Sequence, residues 1–192
     1  MDPYSITKYF AKKSFLKIFG GEIRIYDENK TNLLFYVKQK AFKLKEDITV
    51  YADESKTKEL LKIKARSVID FSSAYDVFDV PTNQKLGALK RKGFKSILKD
   101  EWDIMNSSDA VIGKLSEDSL LFALLRRFLS NLIPQSFNLT IGDTPVGLLR
   151  QTFNPFVPQF KIDFSLDSSG KLDRRLGISS VILMQIIEGR QG

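Results

Sequence analysis

One alternating pattern recurs along the chain. Ile23-Arg-Ile-Tyr26 alternates apolar and polar side chains, crosses the polar stretch Asp27–Asn32 and returns as the apolar run Leu33–Val37. The same form leads from Ile48–Tyr51 through Ala52–Glu59 into Leu60–Arg66, and from Tyr75–Phe78 through Pro81-Thr-Asn83 into Leu86–Leu89. It leads again from Trp102–Met105 through Asn106–Asp109 into Val111–Leu115, and from Phe137–Ile141 through Gly142-Asp143 into Val146–Leu149. Period-two alternation closed by a turn rich in Asp, Asn, Ser or Gly predicts a β-hairpin. Gly87, Gly113 and Gly147 stand near the start of their return strands, where glycine marks a bulge or a close approach of two backbones.

The copies begin about 25 residues apart, too close for helical crossovers, so the pairing should be antiparallel. A lone strand, Phe15–Phe19, and a single last copy, Phe160–Phe164, bring the total to about twelve strands. A sheet of that length is expected to close and so remove its exposed edges.

Two segments break the pattern. Glu117–Asn131 reads as a helix capped by Ser116, with acids in its first turn and arginines later. Its stripe Leu120, Leu121, Leu124, Leu125 and Phe128 is expected to lie on the outside of the sheet. Leu172–Glu188 is apolar nearly all round and must be buried on every side. An eight-stranded barrel fills itself with its own side chains, whereas a wider one leaves a lumen. The expected architecture is therefore mainly β and a single domain over residues 1–192. It is a closed antiparallel barrel of about twelve strands enclosing the helix at 172–188, with a second helix at 117–131 packed outside.

Composition narrows the chemistry. The 192 residues include no Cys and no His. Disulfides, thiolate nucleophiles, Cys/His zinc sites, His-ligated haem and His-based triads are excluded. The acidic group Lys99-Asp-Glu-Trp102-Asp103 does not converge, because alternation turns Asp103 away from Trp102. Trp102 is expected in the core, and Glu117-Asp118 answer to a helix dipole. Asn154–Pro158 reads as a stiff loop into the last strand, and Gly20-Gly21 as a turn. No phosphate-binding loop, dinucleotide fingerprint, nucleophile elbow or metal motif occurs. The expectation is a protein with no enzymatic activity, cofactor or metal.

Met1–Gly20 lacks a continuous apolar core and a small-residue cleavage site, so no secretory signal is expected. The longest apolar stretch, Leu176–Ile187, falls short of the ~20 residues that cross a bilayer. A cytoplasmic monomer able to touch membranes from outside is the resulting picture.

The net charge of +7 is unevenly placed. Residues 1–100 hold 21 basic and 13 acidic groups, and residues 101–192 hold 9 and 10. Lys38 and Lys40, then Lys62, Lys64 and Arg66, then Lys90 and Lys92 alternate at period two. Each set projects from one face of its strand, with Val37, Ile63 and Leu89 turned to the lumen. Arg91 has the opposite parity and needs a bulge or a strand end. Lys43, Lys45 and Lys95 extend the stripe from neighbouring turns. Clustered ammonium groups suit anionic lipid head groups. Nucleic acid is disfavoured because stacking wants exposed aromatics among the cations. Only Tyr36 and Phe42 are candidates for that.

The stretch Gly93–Ser119 contains Gly-Phe-Lys-Ser-Ile-Leu-Lys-Asp-Glu-Trp-Asp-Ile-Met-Asn and Ile112-Gly-Lys-Leu-Ser-Glu-Asp-Ser. Together with Asp173-Arg-Arg-Leu through Ile187-Glu-Gly-Arg-Gln191, it resembles bacterial members of the scramblase-like group. That group is akin to the tubby C-terminal domain, the phospholipid scramblases and the LURP-one-related proteins. The resemblance implies a twelve-stranded barrel threaded by an apolar C-terminal helix. It also implies three roles: phosphoinositide binding by a basic surface, phospholipid movement with calcium, and contact with nucleic acid. The stretch matching the scramblase calcium segment, Asn154–Asp167, offers only Asp163 and Asp167. A Ca²⁺ site needs roughly six to eight oxygens, so calcium control is not expected. The functional expectation is a binding or scaffold domain that meets anionic phospholipid or phosphoinositide head groups through Lys38, Lys40, Lys62, Lys64, Lys90 and Lys92. The alternative is a protein- or nucleic-acid-interaction module with no lipid affinity.

Overall fold

Alternation becomes inside and outside of one wall. In Ala74–Asp79 the side chains of Tyr75, Val77 and Asp79 turn inward, and those of Ala74, Asp76 and Phe78 turn outward. The computed structural model describes residues 2–16, 20–39, 47–66, 74–92, 101–118, 134–152, 154 and 157–188. They form twelve strands: β1 (Lys8–Leu16), β2 (Gly20–Asp27), β3 (Leu33–Gln39), β4 (Ile48–Tyr51), β5 (Glu59–Ala65) and β6 (Ala74–Asp79). The second six are β7 (Gln84–Arg91), β8 (Glu101–Asn106), β9 (Val111–Glu117), β10 (Ser136–Ile141), β11 (Thr144–Thr152) and β12 (Gln159–Asp163). Every strand pairs antiparallel with its neighbours in the chain, and β1 pairs with β12 to close the barrel.

The five hairpins share one internal device. In each, the register slips once just before the turn, and the extra residue on the return strand is aliphatic: Leu34, Leu60, Leu86, Ile112 and Val146. The first four are 26 residues apart, so the repeat seen in the sequence is a repeat of bulges. A bulge bends a strand and sharpens its twist, which a closed wall requires. All five aliphatic side chains pack into or against the core. Gly87, Gly113 and Gly147 follow their bulges directly. A Cβ on Gly87 would overlap the Met105 carbonyl oxygen, and one on Gly113 that of Thr140. One left-handed residue closes each turn: Lys30, Lys56, Asn83, Asp109 and Gly142. Asp27, Asp53, Asp79 and Asn106 hold four of these turns by accepting backbone N–H groups.

The lumen is filled by helix α1 (Arg174–Glu188), on which every residue from Leu176 to Ile186 is buried. Asp173 caps its start, accepting the backbone N–H of Arg175 at 2.9 Å. Arg175 also ties the helix to the wall through Asp79, 3.4 Å away. At the other end the buried Lys13 donates from Nζ to the Gln185 carbonyl oxygen at 2.5 Å. An ammonium there satisfies a helix-end carbonyl and complements the dipole. No helix of the described residues is long and apolar enough to cross a membrane.

Three expectations need correction. The first strand, expected over Phe15–Phe19, already begins at Lys8 and runs to Leu16, and residues 17–19 lie outside the described residues; Lys13 is drawn inward by the helix end and obscures the alternation. Gly20 and Gly21 open β2, paired with Leu16 and Phe15, and do not form a turn. Glu117 closes β9 opposite Phe137, so the expected second helix does not start there; residues 119–133 lie outside the described residues. Among the described residues α1 is the single helix.

Candidate functional site

Outward parity on β3, β5 and β7 carries the lysine stripe. Val37, Ile63 and Leu89 are fully buried on the inner face, so their neighbours along the strands point out. Lys38 stands opposite Glu22 of β2, and Lys62 lies between Thr49 of β4 and Phe78 of β6. Lys64 faces Asp76 of β6, and Lys90 lies between Ala74 and Asp103 of β8. Neighbouring strands are about 4.8 Å apart, so the three lysine rows are spaced by about 10 Å with β4 and β6 between them. Lys40 lies outside the described residues, as do Lys43, Lys45, Lys95 and Phe42.

The lysines divide into two groups. Lys38, Lys64 and Lys90 are exposed and form no ion pair among the described residues; the Lys64 ammonium lies 5.4 Å from the Phe78 ring centre. Lys62 is paired with Glu59 at 2.9 Å. Lys92, just past the end of β7, is 2.5 Å from Glu101 and 3.1 Å from Asp103, and these partners raise its ammonium pKa above the usual range. Glu101 and Asp103 thus work as partners of Lys92. Trp102 between them is buried, as expected of a core residue. Arg91, the last residue of β7, turns inward opposite Trp102.

Two polar clusters join the strands on this wall. Tyr36, outward but only 4% exposed, donates to Glu22 at 2.9 Å beneath the Arg24 guanidinium. Arg24 in turn binds Glu22 and Glu54, each at 2.7 Å. Burial and the adjacent Glu22 push the Tyr36 hydroxyl up to about 12. In the second cluster Arg66 grips Asp76 through Nε and Nη2 and reaches Asp109 at 2.5 Å. Lys85 meets the same two carboxylates at 3.1 and 2.8 Å. This four-residue cluster was foreshadowed only by parity, because Asp109 comes from a turn 43 residues beyond Arg66.

Acid should loosen the second cluster. Partial burial opposes ionisation of Asp76, but hydrogen bonds from Arg66 and Lys85 outweigh it and hold the carboxyl below its usual range. A depressed carboxyl contributes stability above its unfolded value, about pH 4, and loses it as pH falls through the folded value. The expected result is that Asp76→Asn lowers the unfolding free energy measured by urea titration at pH 7 by a solvent-screened amount, under about 1 kcal/mol. That difference should close as pH falls from about 4 through the lowered folded value of Asp76. A pH-independent gap would contradict the assignment.

Asp163 and Asp167 serve the loop into α1. Asp163 accepts the Ser165 N–H at 2.8 Å, and Asp167 accepts those of Lys171 and Leu172 at 2.8 and 3.2 Å. Among the described residues no three His, Cys, Asp or Glu side chains gather as a metal ligand set. The chemistry available to the outer wall is recognition of charge. A family model described as LURP-one-related matches residues 7–185. No curated protein and no solved structure matches the chain.

Proposed function

Because the chain belongs to the LURP-one-related family, part of the tubby-like and scramblase-like superfamily, we propose that it is a non-catalytic barrel domain that docks on anionic phospholipid head groups. The observation that carries this reading is the trio Lys38, Lys64 and Lys90, exposed on one wall with no ion pair among the described residues. Near an anionic surface each such cation is worth about 1 kcal/mol, falling off within a Debye length. Lys62 and Lys92 stand on the same wall and would join by exchanging Glu59, Glu101 and Asp103 for lipid phosphates. In this reading the protein works in the cytoplasm as a peripheral monomer.

Sedimentation with phosphatidylcholine vesicles and with mixed phosphatidylcholine–phosphatidylserine vesicles tests it. The full chain is expected to pellet with the mixed vesicles at low salt only, and Lys64→Glu/Lys90→Glu to weaken that binding by about 30-fold or more. Equal pelleting with both vesicles, or an unaffected double variant, would remove the proposal. A second reading has its own support: Glu22, Asp76 and Asp103 stand directly opposite Lys38, Lys64 and Lys90. A wall of mixed sign suits a protein partner of matching pattern better than a uniform anionic surface. Binding to neither vesicle would favour it.

A further inference from the structure

Closure of the barrel brings together cations that lie far apart in the chain. β1 and β12 pair with Phe10 opposite Lys161 and Lys12 opposite Gln159, and β11 pairs with β12 so that Arg150 is directly opposite Lys161. Ala11, Leu149 and Ile162 are buried in the core, so Lys12, Arg150 and Lys161 project outward from three adjacent strands. Directly opposite side chains start about 5 Å apart and diagonal ones about 7–8 Å. The three stems therefore rise from one patch. Lys30, from the β2–β3 turn, reaches over Phe10 with its ammonium 4.1 Å from the ring centre, beside Lys161. None of these four cations forms an ion pair among the described residues. The only carboxylate in β1, β11 and β12 is Asp163, whose Oδ1 accepts the Ser165 N–H and whose charge also acts on Lys8 and Arg150, leaving Lys161, Lys12 and Lys30 in excess.

Like charges directly opposite in a sheet are destabilising. Arg150 and Lys161 pay that cost on an exposed face where any neutral residue would serve. Stability given up in one place is a mark of a binding surface. We propose that the β11–β12–β1 face binds a soluble ligand bearing a di- or triphosphate through Arg150, Lys161 and Lys12, with Lys30 at its margin. Three cations on adjacent strands, with a fourth at the margin, match phosphates crowded into a compact group. A bilayer spreads its charge over a plane and rewards apolar side chains, and the large exposed ones among the described residues, Val111 and Leu166, lie outside these strands. The face is on the far side of the barrel from β6 and β7, so Lys64 and Lys90 are remote from it and can be altered separately, whereas Lys38 on β3 is two strands from β1.

Calorimetric titration of the full chain with inorganic tripolyphosphate, beside sedimentation with phosphatidic acid vesicles, tests the proposal. Lys161→Glu should weaken tripolyphosphate binding at least tenfold, while Lys114→Glu, an equal charge change on the exposed part of β9, should alter it less than twofold. Lys161→Glu should also melt about 1–4 °C higher, because opposite charges replace like ones. Absence of saturable binding to the wild type would overturn the proposal. So would equal weakening by Lys114→Glu, binding to the vesicles but not to tripolyphosphate, or a Lys161→Glu variant that keeps its affinity.

Discussion

Replacing Phe164 by alanine is expected to lower the free energy of unfolding by about 3–5 kcal/mol. The ring is fully buried where β12, β11 and α1 meet. Two glycines make room for it: a Cβ on Gly147 would come within 2.7 Å of the ring, and one on Gly177 within 3.1 Å. Tyr9 packs edge-on at 5.9 Å, and the Arg174 guanidinium lies 4.6 Å from the ring centre. Truncation leaves a cavity walled by backbone on two sides, which cannot collapse to fill it. Urea unfolding followed by fluorescence of the buried Trp102 measures the loss. A change below about 1 kcal/mol would mean that the ring is not the hinge-pin between wall and helix.

Leu183→Asp should be more damaging still. Leu183 is fully buried at the middle of α1, with the wall around it. A carboxyl there either ionises without a partner or takes up a proton, and an unpaired buried charge alone costs about 3–5 kcal/mol. Lost leucine packing adds about 2–5 kcal/mol, so the cost reaches the range of a domain's total stability, about 5–15 kcal/mol, and a large fraction of the variant is expected to lose its fixed tertiary structure. Near-UV circular dichroism and Trp102 emission report it. Lys64→Asp, on the outer face but directly opposite Asp76, should cost no more than about 1 kcal/mol. Equal effects of the two would argue that position 183 is not enclosed.

The wall and its plug were legible because each rests on a local pattern. Period-two alternation located eleven of the twelve strands to within a few residues, and the all-round apolarity of 172–188 marked α1. The glycines at 87, 113 and 147 pointed to the bulges, since only a missing Cβ permits those approaches. The start of β1 at Lys8 is hidden from the pattern because Lys13 occupies an inward position and Phe10 an outward one. Each is explained by a contact remote in sequence, with Gln185 and with Lys30.

Charge was harder to read. Parity identified which lysines point out, but not which carboxylates stand beside them. Glu59 neutralises Lys62 from three positions away, and Glu101 reaches Lys92 across a strand pair. Half-chain totals placed the basicity in residues 1–100. They had no way to reveal Arg150 and Lys161 meeting Lys12, because that meeting follows from the β1–β12 closure.

Enclosure of α1 by that closed wall is the premise from which the outward parities and both cationic faces follow. Native-state hydrogen exchange tests it directly. The amides of Leu176–Ile186 are expected to exchange only through global unfolding, with the same free energy and urea dependence as the central residues of β6 and β7. Exchange of the helix within minutes, while those strands remain protected, would contradict the enclosure.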